Sequence, residues 1–397
     1  MRKVKWLALL LTTSILMLNT WACQKKSPTK PLNYNYSGQA SLRFPGEFEK
    51  QQAIWLMWPS SIYDSNDRPV SPVMVQIIKG LAPFTTVNIM AASNDEISSI
   101  DKALSASGVN SKSVKYYVIS HASIWARDVG PIFVKGPGNQ LRVVNFGFNN
   151  YSRGGSPDYV ENEALVDVRT ANLLGLPIIN SPLISEGGAI ESNGQGTLMT
   201  TESVVLRRNP NLSKQQIAAE YGKVLGIKKM IWLKKGLAED DQITTGHINE
   251  IARFADPHTV LLAQILESDR YASPTAQESY RRLEENYRIL QGATDQDGRP
   301  LKIIRLPMPP TLYAEANTTG KIPVRTYLNY ALTDGAVLVQ TYWHPGRAEI
   351  LKTTEAQVLK QFAKIFPGRK VIGVDSENIN QWGGGIHCVT QHMPAVK

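Results

Sequence analysis

Apolar positions along the chain gather in short, β-branched runs separated by amphipathic stretches. The runs at 53–58, 86–91, 115–119, 131–135, 141–148, 230–233, 259–266, 302–306 and 370–375 read as strands. Residues 327–332 and 336–342 flank Thr333-Asp334-Gly335 and predict a hairpin, with Asp-Gly supplying positive φ. Helices fall between the strands. Ser71-Pro72 opens one that reaches about residue 81, with Ser as cap and Pro in the first turn. Others are expected over 95–106 and 162–174. Ser213 with Gln216 is a capping-box pattern for a helix ending near Gly226. Residues 274–290 form the longest, with Tyr280, Leu283, Tyr287 and Leu290 on one face. Thr354 with Gln357 caps a helix that stops before Pro367-Gly368. From Phe44 onward there is no linker or composition break. The mixture predicts an α/β or α+β fold.

The first residues follow a different pattern. Arg2, Lys3 and Lys5 precede an apolar run at 6–18 broken only by Thr12, Thr13 and Ser14. That is signal-peptide length and short for a membrane span. Ala22-Cys23 resembles a bacterial lipobox, although Thr20 stands where an aliphatic residue is usual. Cys23 is therefore read as a lipidation site, with an ordinary signal peptide or a retained anchor as the alternatives. Residues 24–42 are polar, with Ser27, Pro28, Pro31, Asn33 and Asn35, and read as a tether. The expected organisation is a signal peptide at 1–22, a lipoprotein-type tether at 23–42 and a folded domain at 43–397. The expected location is the periplasm or outer membrane of a bacterium, with membrane contact only through the lipid.

Composition removes several function classes. With 397 residues, 42% of them hydrophobic, and eight Trp, the chain is neither disordered nor of low complexity. Two cysteines cannot staple a fold of this size, and six scattered His with so few Cys argue against a structural zinc site. Of the net charge of +9, the leader carries three; the rest is spread over pairs such as Arg207-Arg208 and Lys234-Lys235. No basic stripe with interleaved aromatics points to nucleic acid. There is no G-x-G-x-x-G after a strand, no P-loop and no G-x-S-x-G elbow, so nucleotide-binding and serine-hydrolase readings lose their anchors. The sequence gives no handle on oligomeric state.

Four segments carry candidate chemistry. Trp125-Ala126-Arg127-Asp128-Val129-Gly130-Pro131 places Asp128 in a turn between strands. Ser185-Glu186-Gly187-Gly188 sets a carboxylate beside two glycines that let backbone approach a ligand. Thr245-Gly246-His247-Ile248-Asn249-Glu250 comes shortly before an apolar strand. Gly383-Gly384-Gly385-Ile386-His387-Cys388 ends in the one thiol besides Cys23. Taken singly, each has a plainer reading: a turn ion pair, a plain turn, a structural histidine, and a glycine-rich loop before a buried thiol. Together, a Cys, a His and carboxylates point to nucleophilic attack on an electrophilic carbon. Carboxylates also match the planar donor fork of a guanidinium.

These segments, with the opening 48–59 stretch and Gly194-Gln195-Gly196-Thr197, resemble the agmatine deiminase / Porphyromonas-type peptidyl-arginine deiminase family of the guanidine-modifying (pentein) superfamily. The resemblance covers about residues 44–394. Its most specific parts are Thr244 to Phe254, similar to T-x-G-H-[IV]-D-x-x-A-R-F, and Gly383 to Gln391, similar to G-G-[GN]-I-H-C-x-T-Q. The resemblance implies an α/β fold, a five-bladed propeller of ββαβ modules around a central active site. It implies hydrolysis of a guanidine without metal or organic cofactor. Agmatine, giving N-carbamoylputrescine and ammonia, stands ahead of peptidyl-arginine, giving citrulline, and of an inactive or weakly active guanidine-binding lipoprotein. By the same resemblance Cys388 is the nucleophile, His247 the general acid and base, and Asp128 the carboxylate that grips the guanidinium. Glu186 is a further pocket carboxylate, and Trp125 and Asn249 contact substrate.

One departure from the pattern matters. The family places Asp two residues after the histidine, and this chain has Asn249. If 247–250 were a strand, His247 and Asn249 would share a face and Glu250 would point away. On that geometry Asn249→Asp would restore an anionic acceptor and raise kcat/KM about ten- to hundredfold.

Overall fold

Every parallel strand pair needs a crossover of a dozen or more residues, and every antiparallel pair only a turn. The chain alternates the two connections four times, and in the first sheet the antiparallel pair joins strands distant in sequence. The computed structural model describes residues 42–63, 67–310 and 323–396. The expected leader, Cys23 and most of the tether lie outside these residues.

In the first sheet, strand Gln51–Met57 runs antiparallel to Gln391–Pro394 and parallel to Thr86–Ala91, to which Val114–Val118 adds in parallel. The second pairs Ile132–Lys135 antiparallel with Leu141–Gly147, which lies parallel to Ile178–Ile184. The third repeats this with Ile190–Ser192, Thr197–Thr201 and Lys229–Leu233. The fourth uses Ala252–Asp256, Thr259–Gln264 and Lys302–Pro307, and the fifth Ala331–Leu332, Ala336–Thr341 and Lys370–Asp375. Helices bridge the parallel steps, among them Ser71–Leu81, Asn94–Ala106, Lys214–Leu225, Pro274–Gln291 and Glu349–Ile365. The α/β class holds, and a ββαβ order runs through four of the sheets, while the first has four strands and takes its antiparallel one from Gln391–Pro394. Middle strands such as Thr259–Gln264 and Ala336–Thr341 are buried along nearly their whole length, which is why they read as continuous apolar runs.

Several local expectations change. Ser71 is the first helical residue rather than the cap; Val70 occupies the cap and makes no side-chain bond. The last long helix begins at Glu349, so Thr354 and Gln357 lie inside it. The 162–174 stretch is two helices, Pro157–Ala164 and Val166–Leu173. Neither Asp334 nor Gly335 has positive φ; the turn is closed by Thr333, whose N–H donates to Ala336 O at 2.8 Å and whose Oγ1 accepts from Ala336 N–H at 2.8 Å. The capping box at Ser213 and Gln216 is present, and Gly226 ends that helix in the left-handed region. Among the described residues no helix is long and apolar enough to cross a membrane.

Candidate active site

The site residues share one topological position. Each stands just upstream of the strand that opens a sheet: Asp128 before Ile132–Lys135, Glu186 before Ile190–Ser192, His247 to Glu250 before Ala252–Asp256, Asn329 before Ala331–Leu332, and Cys388 before Gln391–Pro394. Asp128 sits on a short helix, Ala126–Val129, rather than in a plain turn. Its neighbour Arg127 donates its backbone N–H to Cys388 O at 3.1 Å, which ties the first of these segments to the last. The segment after His247 is a 3-10 turn, Ile248–Glu250, and not a strand. That corrects the expected alternation: the turn brings Asn249 and Glu250 both to the thiol.

Cys388 is 3% exposed, and three side chains contact its sulfur. Asn329 Nδ2 donates at 3.0 Å and Asn249 Nδ2 at 3.5 Å, while the thiol faces Glu250 Oε1 at 3.5 Å. Asn329 also fixes the backbone here, since its Oδ1 accepts from the N–H groups of His387 at 2.8 Å and Cys388 at 3.2 Å. Burial, with Glu250 and Asp128 nearby, pushes the thiol pKa well above its ordinary value. An empty site therefore holds a neutral thiol, and a cation bound beside it would favour the thiolate.

His247 lies between two carboxylates. Its Nδ1 is 3.8 Å from Asp128 Oδ1 and its Nε2 3.6 Å from Glu186 Oε2, and neither ring nitrogen has a hydrogen-bond partner. Burial disfavours the charged ring, but Asp128, Glu186 and Asp240 together raise its pKa. Asp240 holds the loop by accepting from the N–H of Gly246 at 2.9 Å and of His247 at 3.1 Å. Glu186 is also buried; its contact to His247 and a 2.6 Å ion pair to Arg208 nonetheless keep its pKa at about 2. Asp128 accepts from Tyr151 Oη–H at 2.9 Å and from Gly188 N–H at 3.1 Å. A Cβ on Gly188 would stand 2.5 Å from His247 Nδ1 and 2.8 Å from Asp128 Oδ1, so only glycine leaves this space open. Gly384 does the same for Trp125, whose ring would be 2.5 Å from an added Cβ.

Behind the thiol lies a second cluster of charges. Glu47 accepts from Arg127 Nη1 and Arg253 Nη2, each at 2.5 Å, and from His387 Nε2 at 2.8 Å. Arg253 Nε pairs with Glu191 at 2.9 Å. Burial and Arg127 hold His387 well below its ordinary pKa, so it is neutral. With its Nε2–H on Glu47, its Nδ1 is an acceptor and takes the Asn249 amide at 2.9 Å. Asn249 thus turns its nitrogen to His387 and Cys388, and its Oδ1 is buried without a partner. Glu47, His387 and His392 place possible metal ligands within 4.8 Å of one another. Two guanidiniums already fill that position, and Arg127 Nη2 lies 2.8 Å from His392 Nδ1, so a metal cation does not fit.

The structure therefore gathers Cys388, His247, Asp128, Glu186 and Asn249, with Trp125 against the glycines beside the thiol. Sequence reasoning missed Asn329, Tyr151, Arg208 and the Glu47 cluster. Arg253 did leave a signal, as the arginine of the Thr244 to Phe254 stretch. The assembly offers a nucleophile, a histidine biased toward its protonated form, and carboxylates facing a buried space. That combination suits displacement at a cationic carbon centre.

Comparison with known proteins points the same way. The family described as Porphyromonas-type peptidyl-arginine deiminase matches residues 43–394. Agmatine deiminase of Medicago truncatula is 29% identical over 386 residues, covering 89% of this chain and 96% of the plant protein. The structure of agmatine deiminase of Enterococcus faecalis superposes with a TM-score of 0.77 at 27% identity, covering 90% of this chain and 97% of that one. Agmatine deiminase of C. jejuni shares the fold, with a TM-score of 0.70 at 23% identity over 91% of this chain and 99% of that one.

Proposed function

The chain belongs to the Porphyromonas-type peptidyl-arginine deiminase family, and from that premise and the site geometry we propose that it hydrolyses a guanidine, with agmatine as substrate. The observation that carries the reading is a buried thiol among carboxylates, with His247 beside them held between Asp128 and Glu186. The protein relatives named agmatine deiminase support the choice of agmatine.

The chemistry follows from the ionisation of the empty site. A guanidinium entering beside Asp128 lowers the cost of ionising Cys388, because a cation offsets the carboxylates that hold the thiol neutral. The thiol gives its proton to solvent, and the thiolate forms a bond to the guanidinium carbon as the C=N π pair moves onto nitrogen. Two amide donors, from Asn249 and Asn329, point at the sulfur and stabilise its negative charge. The protonated His247 gives its proton to the departing nitrogen, and ammonia leaves as the C–N bond breaks. Neutral His247 then takes a proton from water, whose oxygen bonds to the carbon of the S-alkyl thiouronium. The C–S bond then breaks, the hydroxyl proton passes to the departing sulfur, and the alkyl-urea leaves with the thiol restored. No metal or organic cofactor enters this scheme.

The basic start, short apolar run and Ala22-Cys23 junction support export with a lipid on Cys23. An extracytoplasmic location brings arginyl peptides within reach as well as agmatine. Ammonia release by the full chain from agmatine, free arginine and peptides ending in arginine, measured side by side, tests the reading. Agmatine is expected to give the highest kcat/KM. A preference for the peptides would transfer the assignment to peptidyl-arginine, and no release from any of them would reject hydrolysis.

A further inference from the structure

Sorting the buried carboxylates near the site by their partners separates two kinds. Glu186 is paired with Arg208, Glu191 with Arg253, and Glu47 with Arg127 and Arg253. The oxygens of Asp240 are filled by Thr244, Gly246 and His247 of its own loop. Asp128 and Glu250 are different. Among the described residues neither has a lysine or arginine within ion-pair distance, and both face the space around Cys388 and His247.

Glu250 is the more exceptional of the two. It is 2% exposed, and among the described residues its Oε1 meets only the Asn329 amide at 2.6 Å and the Cys388 sulfur at 3.5 Å. A carboxylate taken out of water with one neutral amide and a thiol for company is costly unless a cation completes it. Asn249 cannot take that part as it stands. Its nitrogen is turned inward by the acceptor Nδ1 of His387, itself fixed by Glu47. It leaves one neutral oxygen without a partner. Burial, with Asp240 and Asp128 near, raises the Glu250 pKa well above the usual carboxylate range, and an incoming cation would reverse that shift.

We propose that Glu250, and not the residue two positions after His247, is the second carboxylate of the guanidinium site, acting with Asp128. This rests on the deiminase reading for the identity of the ligand and assigns its binding charge to a side chain of this chain's own. Asn249 then serves the sulfur and His387 rather than the substrate cation.

Calorimetric binding to full-length Cys388→Ala protein, with and without Glu250→Gln, tests the proposal. The probes are agmatine and N-carbamoylputrescine, its neutral urea counterpart. Glu250→Gln is expected to weaken agmatine by about 10- to 100-fold, the effect of losing one charge-assisted contact, and to leave the urea within about twofold. Equal agmatine affinity with and without Glu250→Gln overturns the proposal, as does an equal weakening of both probes or no agmatine binding by the parent. Should Glu250→Gln fail to fold by circular dichroism, Glu250→Asp carries the test. It keeps the charge and is expected to weaken agmatine less than about tenfold; agmatine and urea falling together would again overturn the assignment. Failure of hydrolysis shows separately. If the wild-type chain releases no ammonia but Glu250 still governs agmatine binding, the charge assignment stands and the reaction falls.

Discussion

Two clusters of buried charge lie back to back across Cys388, and they are built on opposite terms. On the Glu47 side nearly every charge has its partner: two arginines, two glutamates and two histidines satisfy one another within hydrogen-bond distance. On the His247 side the partners are missing. Both ring nitrogens of His247, Glu186 Oε2 and Asn249 Oδ1 are buried without one, and among the described residues neither Asp128 nor Glu250 has a lysine or arginine within ion-pair distance. The first arrangement is a means of holding position. The second is a set of interactions left for a ligand to complete, and it weakens the empty protein. Asn249 is the hinge between them, since one face of its amide belongs to each side.

This contrast predicts opposite responses to substitution. Cys388→Ala should lower kcat by about 10⁴-fold or more, the scale of losing a catalytic nucleophile, while leaving the melting temperature unchanged or raised. Ammonia release and calorimetry on the same preparation measure both. Glu47→Ala should do the reverse first: it strands Arg127 and leaves Arg253 with Glu191 alone, and denaturant unfolding should show a loss of about 3–5 kcal/mol. A fall in activity with unaltered stability would erase the distinction. Asn249→Asp sharpens the boundary. It sets an oxygen against the acceptor Nδ1 of a neutral His387, so kcat/KM should fall by about tenfold rather than rise. A rise would mean that His387 gains a proton despite Arg127 and Arg253. The smallest effect concerns pH. Glu186 raises the His247 pKa, so Glu186→Gln should move the alkaline limb of the kcat profile to lower pH, where the imidazolium is lost sooner; an unmoved limb would assign it to another group.

Much of the fold was legible because the strands are short, β-branched and set off by capped helices. Residues 86–91 and 370–375 were bounded as the structure has them. The site was legible where chemistry is spelled in consecutive residues, as at His247 and Cys388. It was not legible where meaning depends on a turn. Glu250 was expected to point away because a strand alternates its side chains, whereas three residues of 3-10 helix direct two neighbours to one target. Asn329 was hidden because a lone Asn in an apolar run says nothing of what it touches. The recurrence of the unit would have found it: the segment opening each of the other four sheets carries a site residue, so the fifth should too. Glu47 had no motif at all, and only the long-range contacts to Arg127, Arg253 and His387 reveal it.

The pairing of Gln391–Pro394 with Gln51–Met57 also fixes when the protein can begin to work. A ribosome extends the chain from its first residue at about 5–20 residues per second. Four sheets can be complete while Cys388 and the strand after it are still to be made. Until then the first sheet lacks its antiparallel neighbour and the site lacks the Cys388 thiol. On the proposed reaction, a nascent chain is thus chemically silent toward guanidines. The event that seals the first sheet is the same one that delivers the thiol, so synthesis through Pro394 brings both at once.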